Sequence, residues 1–314
     1  MKKRKGIILI VLGIVLIGIA IALYLAARSV YGSRFNFRCT TSAKDSFDIA
    51  AFDTLVRKRY TFQSKQGHQL VGYLYEQNDP ELLKKGVVVF AHGLGAGGQR
   101  GYMDSFDYLT RQGYYVFAYD ATGNDESEGD VIGGLPQGYI DLDYAIYCVY
   151  GIDEVGKLPV VLMGYSWGAL SVANVLNFHP EVKAVVSLAG CNSSMDLIEY
   201  HGSKMVGKAA KLLIPFAWLH EYIQYGKYAC SSAMKGFANS DCKVMIVHGA
   251  FDRTVPMEYG YDAYYEKYGT DDRFVFKSYK YRDHDLLREN RGKRYLDLEL
   301  MGEITAFFDQ SLTK

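Results

Sequence analysis

The sequence predicts a mostly parallel, doubly wound α/β sheet with an inserted helical cap, preceded by one transmembrane helix. Three observations carry that reading. Short apolar runs alternate with longer amphipathic stretches through most of the chain; the interval 190–242 breaks that alternation; and the N-terminus holds an uncharged apolar segment behind a basic cluster.

The N-terminal segment comes first. Lys2, Lys3, Arg4 and Lys5 precede an uncharged run over residues 6–27. At about 1.5 Å per residue such a run spans a hydrocarbon core roughly 30 Å thick, and a backbone without water must be helical there. The alternative is a cleaved signal peptide, for which Ala20 and Ala22 supply an Ala-x-Ala pattern. The apolar region of a signal peptide is usually only about 7–15 residues, so residues 1–28 are expected to be an anchor. The basic cluster outweighs Arg28, Arg34 and Arg38 on the far side. By the positive-inside tendency this puts the N-terminus in the cytoplasm and the body outside. Residues 29–56 read as a linker.

In the body, residues 57–63 and 70–76 read as two strands joined by a turn at Gln66 and Gly67. Residues 86–91 (GVVVFA), 114–119, 159–164 (PVVLMG), 183–189 and 243–248 are almost continuously apolar. Such runs suit strands buried on both faces of a parallel sheet. Residues 273–279 supply a last strand. Helical patterns fall between, over 102–112, 135–155, 167–178, 257–268 and 291–310, and this alternation implies the doubly wound architecture. The core is then 57–192 with 241–314. A structureless loop filling 193–240 would be too long for a compact domain. Its segment 208–225 (KAAKLLIPFAWLHEYIQY) carries more apolar bulk than a connection needs, so the interval is expected to be a helical cap.

Composition bounds the function. Lysine plus arginine and aspartate plus glutamate number 35 each, without the basic excess that nucleic-acid binding requires. The five cysteines (Cys39, Cys148, Cys191, Cys230, Cys242) form no CxxC pair, so a zinc site is not expected; no other metal and no cofactor are expected either. A disulfide among Cys191, Cys230 and Cys242 competes with a reduced, mostly buried set. The 27 tyrosines read as amphipathic surface and pocket lining.

The chemistry centres on Gly164-Tyr165-Ser166-Trp167-Gly168, between the apolar strand PVVLMG and the helical run ALSVANVLNF. A serine on a tight strand-to-helix turn is exposed at the sheet edge, with a helix N-terminus favouring developing negative charge. Its hydroxyl needs a base. Of seven histidines, His284 follows the last strand and precedes the last helix, where a base reaches the same edge. Asp252, just after the strand at 243–248, is the candidate third member, orienting the imidazole; Asp196 competes for that role. The loop His92-Gly93-Leu94-Gly95-Ala96-Gly97-Gly98 can present the Leu94 N–H beside the Trp167 N–H as an oxyanion hole. It lacks the G-K-[ST] ending of a P-loop and the G-x-G-x-x-G spacing of a dinucleotide site.

Taken in order, HGLGAGG, GYSWG, HGAFDRTVP and the histidine after the final strand resemble the α/β-hydrolase superfamily, in its lysophospholipase-like and serine-aminopeptidase-like branch. The resemblance covers residues 57–314. Its D-x-R-G-x-G-x-S-x-G segment is similar to residues 120–129, where Thr122 replaces the arginine and Asp125 the second glycine; Asp283 stands where a glycine usually precedes the histidine. The resemblance implies an α/β-hydrolase fold and catalytic roles for Ser166, Asp252 and His284. It also implies hydrolysis through an acyl-enzyme, of an ester by default and of a peptide amide as the second reading. The expected partners are a small-molecule acyl ester or peptide substrate and, through residues 6–27, a membrane. The apolar cap points to a hydrophobic or lipid-derived acyl group. Leu212, Leu213, Ile214, Phe216, Trp218 and Leu219 would either select that group or pack the cap onto the core. The rival from another class, a silent hydrolase fold used as a binding module, would lack the nucleophile or the base, and both residue types are present.

Overall fold

The computed structural model describes residues 2–95, 97–289 and 295–313. Eight strands form one sheet: β1 (Leu55–Gln63), β2 (Gln69–Gln77), β3 (Gly86–Ala91), β4 (Tyr114–Asp120), β5 (Val160–Tyr165), β6 (Ala184–Leu188), β7 (Lys243–Gly249) and β8 (Phe274–Tyr279). Their spatial order is β1-β2-β4-β3-β5-β6-β7-β8. β1 and β2 form an antiparallel hairpin, β2 pairs antiparallel with β4, and every later pairing is parallel.

The apolar runs are explained by two buried faces. Val87 and Val89 of β3 face one core with Leu162 and Val185, while Val88 and Phe90 face the other with Met163 and Val186. The first core is covered by α3 (Leu135–Tyr150) and α4 (Trp167–Asn174), the second by α2 (Met103–Arg111) and α9 (Leu298–Leu312). α8 (Tyr261–Tyr268) closes the β7–β8 crossover. The expected start of the last helix at Arg291 lies outside the described residues.

Between β6 and β7 come α5 (Ser194–Val206), α6 (Ala210–Tyr225) and α7 (Ala233–Ala238), so the predicted insertion is helical. Ser193 and Ser232 cap α5 and α7 by accepting from the third residue's N–H.

The N-terminal helix α1 (Lys2–Phe35) departs from the expected boundaries. Residues 29–35, read as linker, continue the helix. Ala27, Tyr31 and Phe35 recur every fourth residue and are buried against the body, whereas most apolar side chains from Ile7 to Leu25 are exposed, with Leu23 and Tyr24 half-buried. Arg28, Ser29, Gly32, Ser33 and Arg34 occupy the other faces and mask that stripe in the sequence. Among the described residues, α1 is the one helix long and apolar enough to cross a membrane. The chain beyond it stays docked: Cys39 N–H donates to Gly123 O at 2.9 Å, Asp125 N–H to Cys39 O at 3.0 Å, and Ile132 N–H to Phe37 O at 2.9 Å.

The tyrosines differ from expectation in burial. Tyr75, Tyr114, Tyr119, Tyr139 and Tyr264 are among the largest fully buried side chains. Hydroxyl partners make this tolerable for four of them: Tyr75 donates to Gln99, Tyr114 to Asp309 at 2.7 Å, Tyr119 to Gly138 O at 3.5 Å and Tyr139 to Tyr228 O at 3.0 Å, whereas Tyr264 packs its ring against Phe237. All five cysteines are unpaired, with Cys39, Cys191 and Cys242 buried and Cys230 exposed.

Candidate active site

Strand β5 delivers Ser166 to the C-terminal edge of the sheet, and α4 begins at the next residue. Ser166 has φ +57° and ψ −111°, a conformation that costs a non-glycine residue on the order of 1–3 kcal/mol. The flanking glycines are dictated by contact. A Cβ on Gly164 would lie 2.2 Å from Gly168 O, and one on Gly168 would lie 1.8 Å from Ala91 O. The G-x-S-x-G spacing thus lets the turn fold against itself and against β3. Ser166 N–H donates to Leu188 O at 2.8 Å, tying the turn to β6.

His284 sits between β8 and α9. Tyr165 O–H donates to its carbonyl at 3.1 Å and packs its ring 5.4 Å from the imidazole. Buried Leu286 and Leu287 anchor the chain beyond. Asp252 follows β7 with its side chain fully buried. Its Oδ1 accepts from Thr254 N–H and Val255 N–H, each at 2.8 Å.

The structure brings these three residues together. His284 Nδ1 lies 2.7 Å from Asp252 Oδ2, and His284 Nε2 lies 2.8 Å from Ser166 Oγ. Burial alone would raise the Asp252 carboxyl. Hydrogen bonding from His248 and His284 and the Val255 N–H outweigh it, holding the group well below the usual carboxylate range. An ionised carboxylate only accepts, so it fixes the proton on Nδ1 and leaves Nε2 free to take the serine proton. Asp196 is not brought to His284 in this way. It lies in the first turn of α5, where its N–H donates to Ser193 Oγ at 3.3 Å.

His248 belongs to this cluster and was not singled out in the sequence. It is completely buried, with Nε2 2.8 Å from Val255 O and 3.4 Å from Asp252 Oδ2. Its Nε2 hydrogen points chiefly at the nearer carbonyl and is shared with the carboxylate at longer range. The signal was the His-Gly pair ending an apolar strand.

Leu94 and Trp167 border the same cavity as Ser166. Trp167 is the first residue of α4, where backbone N–H groups lack helical partners. The loop carrying Leu94 is braced from three sides. Buried His92 accepts from Ala121 N–H at 3.0 Å and pairs with Gly93 O at 2.9 Å. Gly93 N–H donates to Tyr102 at 3.2 Å. Gly98 N–H donates to Thr41 Oγ1 and to Asp125 Oδ2, both at 3.0 Å. Ala96 lies outside the described residues.

Asp125, the residue in place of a glycine, therefore has a structural task. At φ +34° its carboxylate accepts from Gly98 N–H, Thr41 N–H and Thr41 Oγ1, clipping the segment after α1 to the glycine loop. Thr122, in place of the arginine, donates its N–H and hydroxyl to buried Asp141.

The cavity measures about 420 Å³ and is walled by three elements besides the sheet edge. α1 and its continuation supply Ala27, Val30, Tyr31, Arg34, Phe35 and Phe37; α5 supplies Leu197, Ile198 and Met205; α6 supplies Ala210, Leu213, Ile214 and Ala217. Of the expected acyl selectors only Leu213 and Ile214 line it. Leu212, Trp218 and Leu219 are exposed on the outer side of α6, because the helix turns only one stripe inward. Among the described lining residues none is a carboxylate. A second cavity of about 730 Å³ shares Thr254 and His284 with the first and is lined by charged groups, including Arg253, Asp285 and Glu289. No cluster of metal-ligating residues occurs among the described residues.

A serine at a strand-to-helix turn, facing a histidine from the last strand connection at the edge of this sheet, defines a class of protein, the α/β hydrolases. The chain belongs to that superfamily and, within it, to the prolyl oligopeptidase family, whose model matches residues 155–314, just over half the chain. The serine aminopeptidase (S33) model matches residues 83–225. No curated protein matches the chain in sequence. Among solved structures, an esterase from Pyrococcus furiosus is similar at 15% identity and TM-score 0.65, covering 88% of this chain and 98% of that one. Acetyl xylan esterase 1 from Thermoanaerobacterium is similar at 16% identity and TM-score 0.59, covering 93% of each. An acylaminoacyl peptidase from Pyrococcus horikoshii is similar at 17% identity and TM-score 0.62, covering 84% of this chain but 43% of the peptidase.

Proposed function

We propose that this protein is a membrane-held serine hydrolase that cleaves esters of apolar acyl groups through an acyl-enzyme. The observation that carries the reading is the Ser166–His284–Asp252 chain of hydrogen bonds beside a largely apolar cavity. Ser166 Oγ attacks the carbonyl carbon while its proton passes to His284 Nε2. The oxygen that becomes negative is held by the N–H groups of Leu94 and Trp167, each such donor contributing roughly 3–4 kcal/mol in the best-studied case. Collapse expels the alkoxide, which takes the proton from His284 and leaves as the alcohol. Water then attacks the acyl-enzyme, gives its proton to His284, and the carboxylic acid departs as Ser166 recovers its hydrogen. The acyl chain would occupy the apolar cavity and the leaving group the charged one.

A second reading, hydrolysis of an acylated peptide, is favoured by the prolyl oligopeptidase family match. A peptide with a free N-terminus needs acidic partners for its amine, and the apolar cavity offers none among its described lining residues; a blocked, uncharged terminus needs none. Labelling with a fluorophosphonate, followed by acyl esters of graded chain length and their amide counterparts, decides between the readings. Labelling at Ser166 with ester turnover far above amide turnover supports the first. Amide turnover equal to ester turnover supports the second, and failure to label removes both. With α1 as a span and the basic cluster inside, the body faces outward; protease added to intact cells is expected to cleave it.

A further inference from the structure

Helix α6 carries two apolar stripes. Leu213, Ile214 and Ala217 line the cavity. Leu212, Leu219 and Ile223 form a second stripe on the outside, and Trp218 and Tyr222 stack beside it with ring centroids 5.5 Å apart. All five are well exposed, Leu212 at 63% and Ile223 at 59%. Scattered exposed apolar residues are ordinary, but a continuous face with a paired tryptophan and tyrosine is not.

Its position relative to α1 says what covers it. α6 is clamped to α1 by Tyr24 O–H with His220 Nδ1 at 3.3 Å and by Tyr31 O–H donating to Glu221 at 2.8 Å, while Ser194 donates to the other Glu221 oxygen at 2.6 Å. The exposed apolar surface of α1 runs to Leu25. A hydrocarbon core roughly 30 Å thick takes up about 20 helical residues, so a core entered just after Lys5 ends beside Leu25, level with His220. Trp218 and Tyr222 then fall where amphipathic rings concentrate, at the membrane–water boundary. Exposed Arg28 and Lys211 stand on the same two helices, placed for headgroup phosphates.

We propose that the outer face of α6 lies in the headgroup region of the bilayer that α1 crosses, and that the substrate is an acyl amphiphile drawn into the cavity from that bilayer. The inference rests on the proposed serine chemistry and on α1 as a span. The two helices that border the membrane also wall the cavity, so an acyl chain leaving the bilayer has only their side chains to pass.

The test uses the full chain reconstituted in phosphatidylcholine vesicles with brominated acyl chains, which quench tryptophan at contact. The protein has two tryptophans; Trp167 is buried and Trp218 exposed, so Trp218→Phe isolates the outer one. The expected result is strong quenching in the wild-type protein that Trp218→Phe removes in large part, and that Ser166→Ala leaves intact. In the same vesicles, Leu219→Glu with Ile223→Glu is expected to lower turnover of an embedded long-chain ester about tenfold while an acetate ester in solution is hydrolysed as before. Quenching that Trp218→Phe leaves unchanged overturns the proposal whatever the esters show. Burial of Trp218 in a dimer that persists after detergent extraction gives the face to a second copy and overturns it too. Protein that does not float with vesicles removes the span and the proposal together. Quenching as expected without hydrolysis of any ester leaves the membrane placement standing and removes the enzyme reading.

Discussion

At Ser166 the backbone is strained whether or not the hydroxyl is present, because φ +57° comes from the turn and its two crowded glycines. Ser166→Ala is therefore expected to fold normally while losing turnover by at least roughly a thousandfold. His284→Ala should lose nearly as much. Asp252→Asn should lower kcat by roughly three to four orders of magnitude by disfavouring the tautomer with hydrogen on Nδ1, whereas Asp196→Asn, at a helix N-terminus, should change it little. Steady-state kinetics on a water-soluble ester checks all four, and the reverse ranking of the two aspartates would move the acid to α5. These three residues were legible because their chain order and their places after apolar strands are local facts. Asp125 was visible only as a departure. Its meaning depends on Thr41 and Gly98, which fold to it from 84 and 27 residues away. Asp125→Gly tests that meaning without backbone strain, since glycine accepts positive φ. The expected outcome is a kcat lowered about tenfold with KM little changed, because the clip positions the Leu94 loop and does not touch substrate. A change confined to KM would show that it acts otherwise.

At the scale of elements, strands were read almost to the residue. A strand buried on both faces leaves an uninterrupted apolar word such as GVVVFA, and little else does. Helices were read less well at their ends. α3 stops at Tyr150, with Gly151 as its C-cap, though the apolar pattern runs on to Val155. The boundary least legible in the sequence is the end of α1, whose buried Ala27, Tyr31 and Phe35 stripe is interleaved with arginine, serine and glycine. That stripe changes what truncation should do. Removing residues 1–22 leaves the stripe and the cavity wall in place, and activity on both short and long acyl esters is expected to survive. Removing residues 1–35 strips Val30 and Phe35 from the wall. Because each methylene in contact is worth roughly 0.8 kcal/mol, or about fourfold in rate, the preference for long chains should flatten while acetate turnover falls less. A chain-length profile on the two truncations measures this. Equal profiles would reduce α1 to a tether.

For the whole molecule, pH dependence follows from buried acids, of which Glu221 is one. Burial pushes Glu221 up to about 7, although hydrogen bonds from Ser194 and Tyr31 pull the other way. Below its ordinary range Glu221 is protonated folded or unfolded, and contributes no pH dependence. As pH rises through that range the unfolded chain gives up the proton while the folded one keeps it, so folding stability falls, and the loss is complete above about pH 7. A shift of this size is worth on the order of 3 kcal/mol. The wild-type Tm is expected to drop between pH 5 and pH 8, and Glu221→Gln should remove a large part of that slope. Asp120, which burial also holds up to about 7, contributes to the part that remains, as do Asp104, Asp141 and Asp285, which burial also raises. Identical slopes in the two proteins would contradict the assignment.

The clamp between Tyr31, Glu221 and Ser194 also makes the N-terminal helix a poor candidate for exchange. An anchor that served only as an address could be swapped for any apolar helix. Here residues 27–35 and the cap were shaped to one another, as two halves of a mould are, so a chimera joined at residue 36 should fold its sheet and yet accept the wrong acyl chains. A graft joined at residue 22 should give a transplantable enzyme.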